Sequence, residues 1–191
     1  MSRNVLMVDN HDSFTFNIVE ALERLGATVR TVRNEIPAED ALEQARETNS
    51  LILISPGPGR PEDAGCCIDL IRLAKGEVPL FGVCLGQQAI VREAGGDVVR
   101  APDAVHGKAS VLTHDGTGPF DGVPNPIKIG RYHSLCTPSP PARFRVHAAI
   151  EGMAMAISDA EAKQVGVQFH PESVLTPVGQ RILANVLERL V

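Results

Sequence analysis

Pro79-Leu80-Phe81-Gly82-Val83-Cys84-Leu85-Gly86-Gln87-Gln88-Ala89 is the stretch on which the reading of this chain turns. An apolar run stops at Gly82, a cysteine follows two residues later, and Gly86 precedes a helix-like run from Gln87 to Ala94. Glycines two places before and two places after a nucleophile-type residue permit a sharp strand-to-helix turn that lifts the side chain clear of a sheet. The same turn puts Cys84 at the N-terminus of the next helix, where unpaired N–H groups and the helix dipole favour a thiolate over a thiol. A small cysteine buried in a strand end is the plain alternative, so the rest of the chain has to decide.

Upstream, strand and helix patterns alternate. Val5 to Val8 and Leu51 to Ile54 are continuous apolar runs of the kind expected for strands buried on both faces. Ala27 to Val32 reads as a further strand, and Val78 to Val83 carries Cys84. Between them lie three helical segments. One is capped by Asp12 or Ser13 and runs to Leu25, with a stripe of Phe16, Val19, Ala21, Leu22 and Leu25. The others are Ala38 to Arg46 and Gly65 to Lys75. Such alternation implies an α/β fold with a parallel sheet covered on both faces. Ligands bind beyond the C-terminal strand ends of such sheets, where the turns at Asp9, Pro56 and Cys84 fall.

After about Gly96 the texture changes to short β-like pieces separated by Gly, Pro and Asp turns: Val98-Val99, Val111-Leu112, Ile127 to Ile129, Arg143 to Ile150 and Met153 to Ile157. These are expected to extend the sheet as antiparallel strands. Val165 to Phe169 is the last strand, and Gly179 to Leu190 a closing amphipathic helix. The length of 191 residues suits a single domain, 1–191, with one sizeable core.

Composition narrows the function. A net charge of -5 argues against a nucleic-acid partner. No apolar run reaches the roughly 20 residues that cross a bilayer, and the N-terminal apolar run meets Asp9 too soon for a signal peptide. Four cysteines, two of them adjacent, form neither a disulfide framework nor a Cys-x-x-Cys metal pair, so a reducing cytoplasm is the expected setting. His11, His106, His114, His133 and His147 show no metal spacing and read as solvated or structural, as do Cys66, Cys67 and Cys136.

Three strand-end segments supply the parts of an acyl-transfer site. Cys84 is the nucleophile. In His170-Pro171-Glu172, proline favours an extended residue before it, so that residues i and i+2 project to one side and Glu172 can hold one ring nitrogen of His170. In Pro56-Gly57-Pro58-Gly59 the only amide donors are Gly57 and Gly59, either of which can approach an oxyanion, with the Leu85 N–H as the second donor. Gln88, one helical turn after Cys84, can meet a polar substrate.

With these residues in view the chain resembles the class I, triad-type glutamine amidotransferases over essentially its whole length. Gly82-Val83-Cys84-Leu85-Gly86 is similar to the nucleophile motif, Ser55-Pro56-Gly57-Pro58-Gly59 to the oxyanion loop, and Gln168-Phe169-His170-Pro171-Glu172 to the His/Glu motif. Asp9-Asn10-His11-Asp12-Ser13-Phe14-Thr15, His106-Gly107-Lys108 and Arg131-Tyr132-His133-Ser134-Leu135 resemble the chorismate-pathway branch, the small subunits of anthranilate synthase and aminodeoxychorismate synthase. Gly152 to Ala156 and Arg33 to Ala38 look closer to the anthranilate member. The resemblance implies a three-layer α/β/α, flavodoxin-like fold and a Cys84, His170, Glu172 triad. It also implies L-glutamine contacts at Gly57, Pro58, Gly59, Gln88, Ser134 and Leu135. Ammonia would pass to a large chorismate-binding subunit, in a heterodimer or heterotetramer. Magnesium would be bound there and no metal or cofactor here.

Two positions depart from many members of the family: Gln87, where histidine is common, and His11, where tyrosine is. Gln87 is expected to tune glutamine binding or partner coupling, and His11 to touch the partner. A scaffold that kept the fold without the chemistry, and a thiol hydrolase or cysteine peptidase, are the readings from other classes.

Overall fold

The computed structural model describes residues 3–190. Its first half alternates strand and helix: β1 (Arg3–Asp9), α1 (Thr15–Arg24), β2 (Ala27–Arg33), α2 (Ala38–Glu47), β3 (Ser50–Ile54), α3 (Cys67–Ala74), β4 (Leu80–Val83) and α4 (Leu85–Glu93). The second half adds β5 (Val99–Arg100), β6 (Lys108–Leu112), β7 (Ile127–Arg131), β8 (Leu135–Cys136), β9 (Arg145–Ile150), β10 (Met153–Asp159), β11 (Gln164–Val167) and α5 (Gly179–Leu190).

Seven strands form the main sheet in the order β2-β1-β3-β4-β11-β10-β9. The first five are mutually parallel; β10 pairs antiparallel with β11, and β9 antiparallel with β10. The period-2 geometry of a strand splits each apolar run between the two faces. Val5 and Met7 of β1 pack with Ile18 and Leu22 of α1 and with Ile182, Leu183, Val186 and Leu187 of α5. Leu6 and Val8 face Ala41 and Leu42 of α2, Leu70 and Ile71 of α3, and Ala89 and Ile90 of α4. The result is the expected three-layer α/β/α arrangement, with the strand order reversing direction between β1 and β3.

Not every expectation holds. Of the antiparallel pieces only β9 and β10 extend the sheet; β5 pairs with β8, and β6 with β7, in two separate ribbons. Their sequences explain it: Val111 is 65% exposed and β6 buries only Leu112 fully, too little apolar surface for a strand covered on both sides. Isolated bridges His114↔Ala148 and Gly130↔His170 fasten the β6–β7 ribbon to the body, the second of them at a strand end. Phe16 belongs to the apolar stripe that the sequence predicts for α1, yet it is 63% exposed, because the face turned inward runs Thr15, Ile18, Leu22. The helix starts at Thr15, with Asp12 Oδ1 accepting the Phe14 N–H at 2.7 Å one step earlier. The last strand ends at Val167, before the expected Phe169, although Phe169 is buried in the core.

The turn from β4 into α4 is strained and tightly packed. Cys84 holds φ 54° and ψ -102°, a conformation that costs a non-glycine residue about 1–3 kcal/mol. A Cβ on Gly82 would lie 2.4 Å from the Gly86 carbonyl carbon, and one on Gly86 would lie 2.4 Å from the Ile54 carbonyl oxygen. Both contacts are with backbone, which cannot step aside. Gly86→Ala is therefore expected to cost roughly 3 kcal/mol or more, a Tm drop of about 6–12 °C. Gly95→Ala, at φ +81° with open space around it, should cost about 1 kcal/mol. Thermal unfolding followed by circular dichroism distinguishes the two, and equal losses would contradict the packing argument.

Candidate active site

Cys84 stands at the C-terminal end of β4, its backbone N–H donating to the Val167 carbonyl at 2.8 Å. Its carbonyl accepts the Gln88 N–H at 3.1 Å, the first turn of α4. The side chain thus sits where the dipole of α4 favours negative charge.

His170 is fixed from several sides. Its N–H donates to Gly130 O at 3.1 Å, and its carbonyl accepts the Thr176 hydroxyl at 2.7 Å and the Ser173 N–H at 3.2 Å. The ring lies edge-on to Tyr132 and Phe14, with centroids 4.9 and 5.4 Å away. Nδ1 is 2.6 Å from Glu172 Oε1, and both side chains are buried. Since the carboxylate accepts, Nδ1 carries the hydrogen and Nε2 is left to meet a thiol. The sequence predicts the pairing of residues 170 and 172 from an extended segment. In fact it arises in a turn closed by the Ser173 to His170 bond, which swings Glu172 back onto the ring.

Burial by itself would lower the pKa of His170, but the Cys84 side chain and the Glu172 carboxylate outweigh it and raise the ring to about 10. Nε2 nonetheless has no aligned hydrogen-bond partner. Sulfur and ring are close enough to interact electrostatically without the bond geometry that a bound substrate would tighten.

The Ser55 to Gly59 loop is built on Asn10, a residue with no role predicted from sequence. Its Nδ2 donates to Ser55 O at 3.0 Å and its backbone N–H to Ser55 Oγ at 2.9 Å. Asn34 and the Cys67 thiol both donate to Asn10 Oδ1, at 3.0 and 3.2 Å. The Cys66 side chain and burial push the Cys67 thiol up, so it serves as a neutral donor. A Cβ on Gly57 would sit 2.5 Å from Asn10 Cβ and 2.7 Å from Leu85 Cδ2, so only glycine brings this backbone so close to the elbow. Leu85 N–H, the first of α4, has no partner within its own helix.

A pocket of about 180 Å³ brings together Gly57, Pro58, Gly59, Cys84, Gln88, Ser134 and Leu135. It is smaller than the about 300–1,000 Å³ of drug-sized sites. His106, Tyr132 and His133 also line it, residues to which the sequence assigns no part in the site. His133 Nδ1 donates to Leu135 O at 2.9 Å. Burial, against that bond and helped by the Arg131 and His170 charges, lowers His133 to about 4, so no second cation forms beside His170 near neutral pH. The nearest sequence clue to these residues is the Arg131 to Leu135 segment itself.

Gln87 does not line this pocket. Its buried Nε2 donates to Ala154 O at 3.0 Å and Thr137 Oγ1 at 3.3 Å, so it ties α4 to β10 and does not face a substrate. His11 lies exposed at the end of β1, 2.6 Å from Glu35.

A second Ser–His–Asp arrangement occurs elsewhere: Ser158 Oγ is 2.7 Å from His147 Nε2, and His147 Nδ1 is 3.0 Å from Asp115 Oδ2. Asp115 is shared with Arg145 and Thr117, and Ser158 lies within strand β10 without an elbow. This network staples the loop after β6 to β9 and β10.

Residues 6–190 match the family described as glutamine amidotransferase class-I. The chain belongs to that family and is an enzyme of that class. Among its relatives is the pyocyanine-specific anthranilate synthase component 2 of Pseudomonas aeruginosa, 45% identical over 96% of this chain and 92% of that one. Anthranilate synthase component 2 of Vibrio parahaemolyticus is 41% identical over 97% and 95%. The aminodeoxychorismate/anthranilate synthase component 2 of Bacillus subtilis is 43% identical over 96% and 95%. In fold the chain is similar to a glutamine amidotransferase from Thermotoga maritima, with a TM-score of 0.80 at 18% identity, covering 100% and 98% of the two chains.

Replacing Glu172 by Gln removes an anion that raises His170 while leaving the burial that lowers it. The ring should then titrate well below about 10, toward the 6.5 of a free imidazole. The sign for stability follows. In the native protein His170 contributes stability that is fully present below about pH 6.5 and lost as pH rises toward about 10, and Glu172→Gln should flatten that slope. Histidine-ring NMR titration and urea unfolding across this range measure both; an unmoved ring midpoint would remove Glu172 from the role.

Proposed function

We propose that this chain is the glutaminase subunit of anthranilate synthase, splitting L-glutamine at Cys84 and handing the ammonia to a large chorismate-binding subunit. The observation that carries the chemistry is the elbow sulfur beside an imidazole whose far nitrogen is held by a buried carboxylate. The names of the relatives support the pathway.

His170 Nε2 takes the thiol proton to give a thiolate–imidazolium pair, and Cys84 Sγ then attacks the side-chain carbonyl carbon of glutamine. The Glu172 carboxylate steadies the imidazolium at 2.6 Å. The oxyanion is received by backbone N–H groups of Leu85 and of the Gly57 to Gly59 loop, which stand ready before any charge develops. On collapse the C–N bond breaks, and His170 returns the proton to the departing ammonia. Water, deprotonated by the same ring, then cleaves the γ-glutamyl thioester and frees glutamate and the thiol.

Gln88 has a definite orientation for substrate. Its Nε2 is taken by Leu135 O and Gln168 Oε1, both at 3.1 Å, so its oxygen is the atom offered to the substrate's ammonium group. Ser134 and Leu135 provide backbone contacts on the same wall. No metal has a part in these steps; magnesium belongs to the chorismate subunit. A protected route between subunits keeps ammonia from being protonated before it reaches its acceptor, and His11 lies exposed where a partner can reach it.

The second reading is the small subunit of aminodeoxychorismate synthase, or one subunit serving both partners, favoured by the double name of the Bacillus subtilis relative. Cys84→Ser is expected to lower glutamine-dependent product formation by a factor of about 10³ or more while ammonium-dependent formation in the same complex persists. Pairing the chain with each large subunit and identifying the product separates the two pathways. Loss of both activities in a folded complex would contradict the proposal.

A further inference from the structure

One buried amide touches the reacting sulfur, and the scheme above uses it only as an acceptor for Gln88. Gln168 follows β11 directly, is wholly buried, and donates its backbone N–H to Met155 O at 2.9 Å. Its side chain belongs to a chain of hydrogen bonds that cannot be reversed. The Leu135 carbonyl only accepts, so the Gln88 atom 3.1 Å from it is the nitrogen. That nitrogen also lies 3.1 Å from one terminal atom of Gln168, which must therefore be the oxygen. The remaining terminal atom of Gln168 is Nε2, and it donates to Cys84 Sγ at 3.5 Å.

We propose that Gln168 is a further catalytic residue, whose Nε2–H bonds to the Cys84 sulfur, holds it in line and stabilises the negative charge that it carries before attack, with Gln88 as the clamp that aims the amide. This role presupposes the thioester chemistry proposed above. A neutral amide suits it physically. A hydrogen bond to an ionised acceptor is about twice as strong as one between neutral groups, and burial strengthens it further. Unlike a lysine or a histidine, the amide takes no proton that His170 needs. Gln88 makes the arrangement responsive to substrate: it lines the pocket, so a ligand bonded to its oxygen polarises the amide that grips Gln168.

The test is the alkylation of Cys84 by iodoacetamide at pH 7, mapped by peptide mass spectrometry, in the full chain and in two variants. Gln168→Leu removes the donor at similar volume. Gln168→Glu is nearly isosteric, keeps the acceptor for Gln88 and turns an oxygen toward the sulfur. The expected result is alkylation about tenfold slower in Gln168→Leu, on the scale of one charge-assisted hydrogen bond, and slower still in Gln168→Glu. Glutaminase kcat with the large subunit should fall with KM nearly unchanged. Circular dichroism and Tm verify the fold, and should the leucine variant not fold, the glutamate variant decides.

Alkylation within twofold of the native rate in folded variants overturns the role. A native Cys84 no more reactive than the buried Cys136 is a different failure, and with it the nucleophile itself falls along with the role of Gln168.

Discussion

A backbone contact governs this molecule: Gly82, Gly86 and the carbonyl of Ile54 pass so close that no side chain fits between them. That contact lets α4 start directly over the end of β3, and it holds Cys84 in a conformation that an L-residue does not adopt by preference. Strain of this kind persists only where the surroundings over-determine it. Here β4 is flanked by β3 and β11 in parallel register, and the Val167 carbonyl holds the Cys84 N–H. The sheet supplies the rigidity, and the elbow converts it into a fixed direction for one sulfur.

The electrostatics follow from the same geometry. The Cys84, His170 and Glu172 side chains are largely withdrawn from water, where isolated charges are unstable. Placed together they stabilise one another, which is why the His170 ring is raised despite its burial. His133, in the same pocket but paired with a neutral carbonyl, moves the opposite way. Two histidines near one another, each just beyond its strand, thus shift in opposite directions, His170 up and His133 down.

The polar network around Asn10 anchors the Ser55 to Gly59 loop to the body of the fold. It gathers the ends of β1 and β3, the turn after β2 and the start of α3, four points that are distant in the chain. Its buried polar atoms are partnered with one another, so the network rigidifies the loop. The Ser158, His147 and Asp115 cluster obeys the same rule away from the elbow. There it only fastens a ribbon, because it lacks a strained turn to present the hydroxyl.

The alternating strands and helices of the first half, the glycines of the elbow, and the pairing of His170 with Glu172 were legible in the chain, because each leaves a local mark: an apolar run, a glycine spacing, a proline beside a histidine. Position on α1 was not, since Phe16 and Ile18 are equally apolar and only packing against β1 and α5 decides which turns inward. Nor was the separation of the β5–β8 and β6–β7 ribbons from the sheet, which depends on how much surface their partners bury. The direction of Gln88, the grip of Gln168 on the sulfur, the hub at Asn10 and the inward face of Gln87 were likewise decided by tertiary structure alone. Hydrogen bonds between residues 24 to 84 positions apart leave no periodicity in a sequence. They exist only once the sheet has brought the strand ends to one edge.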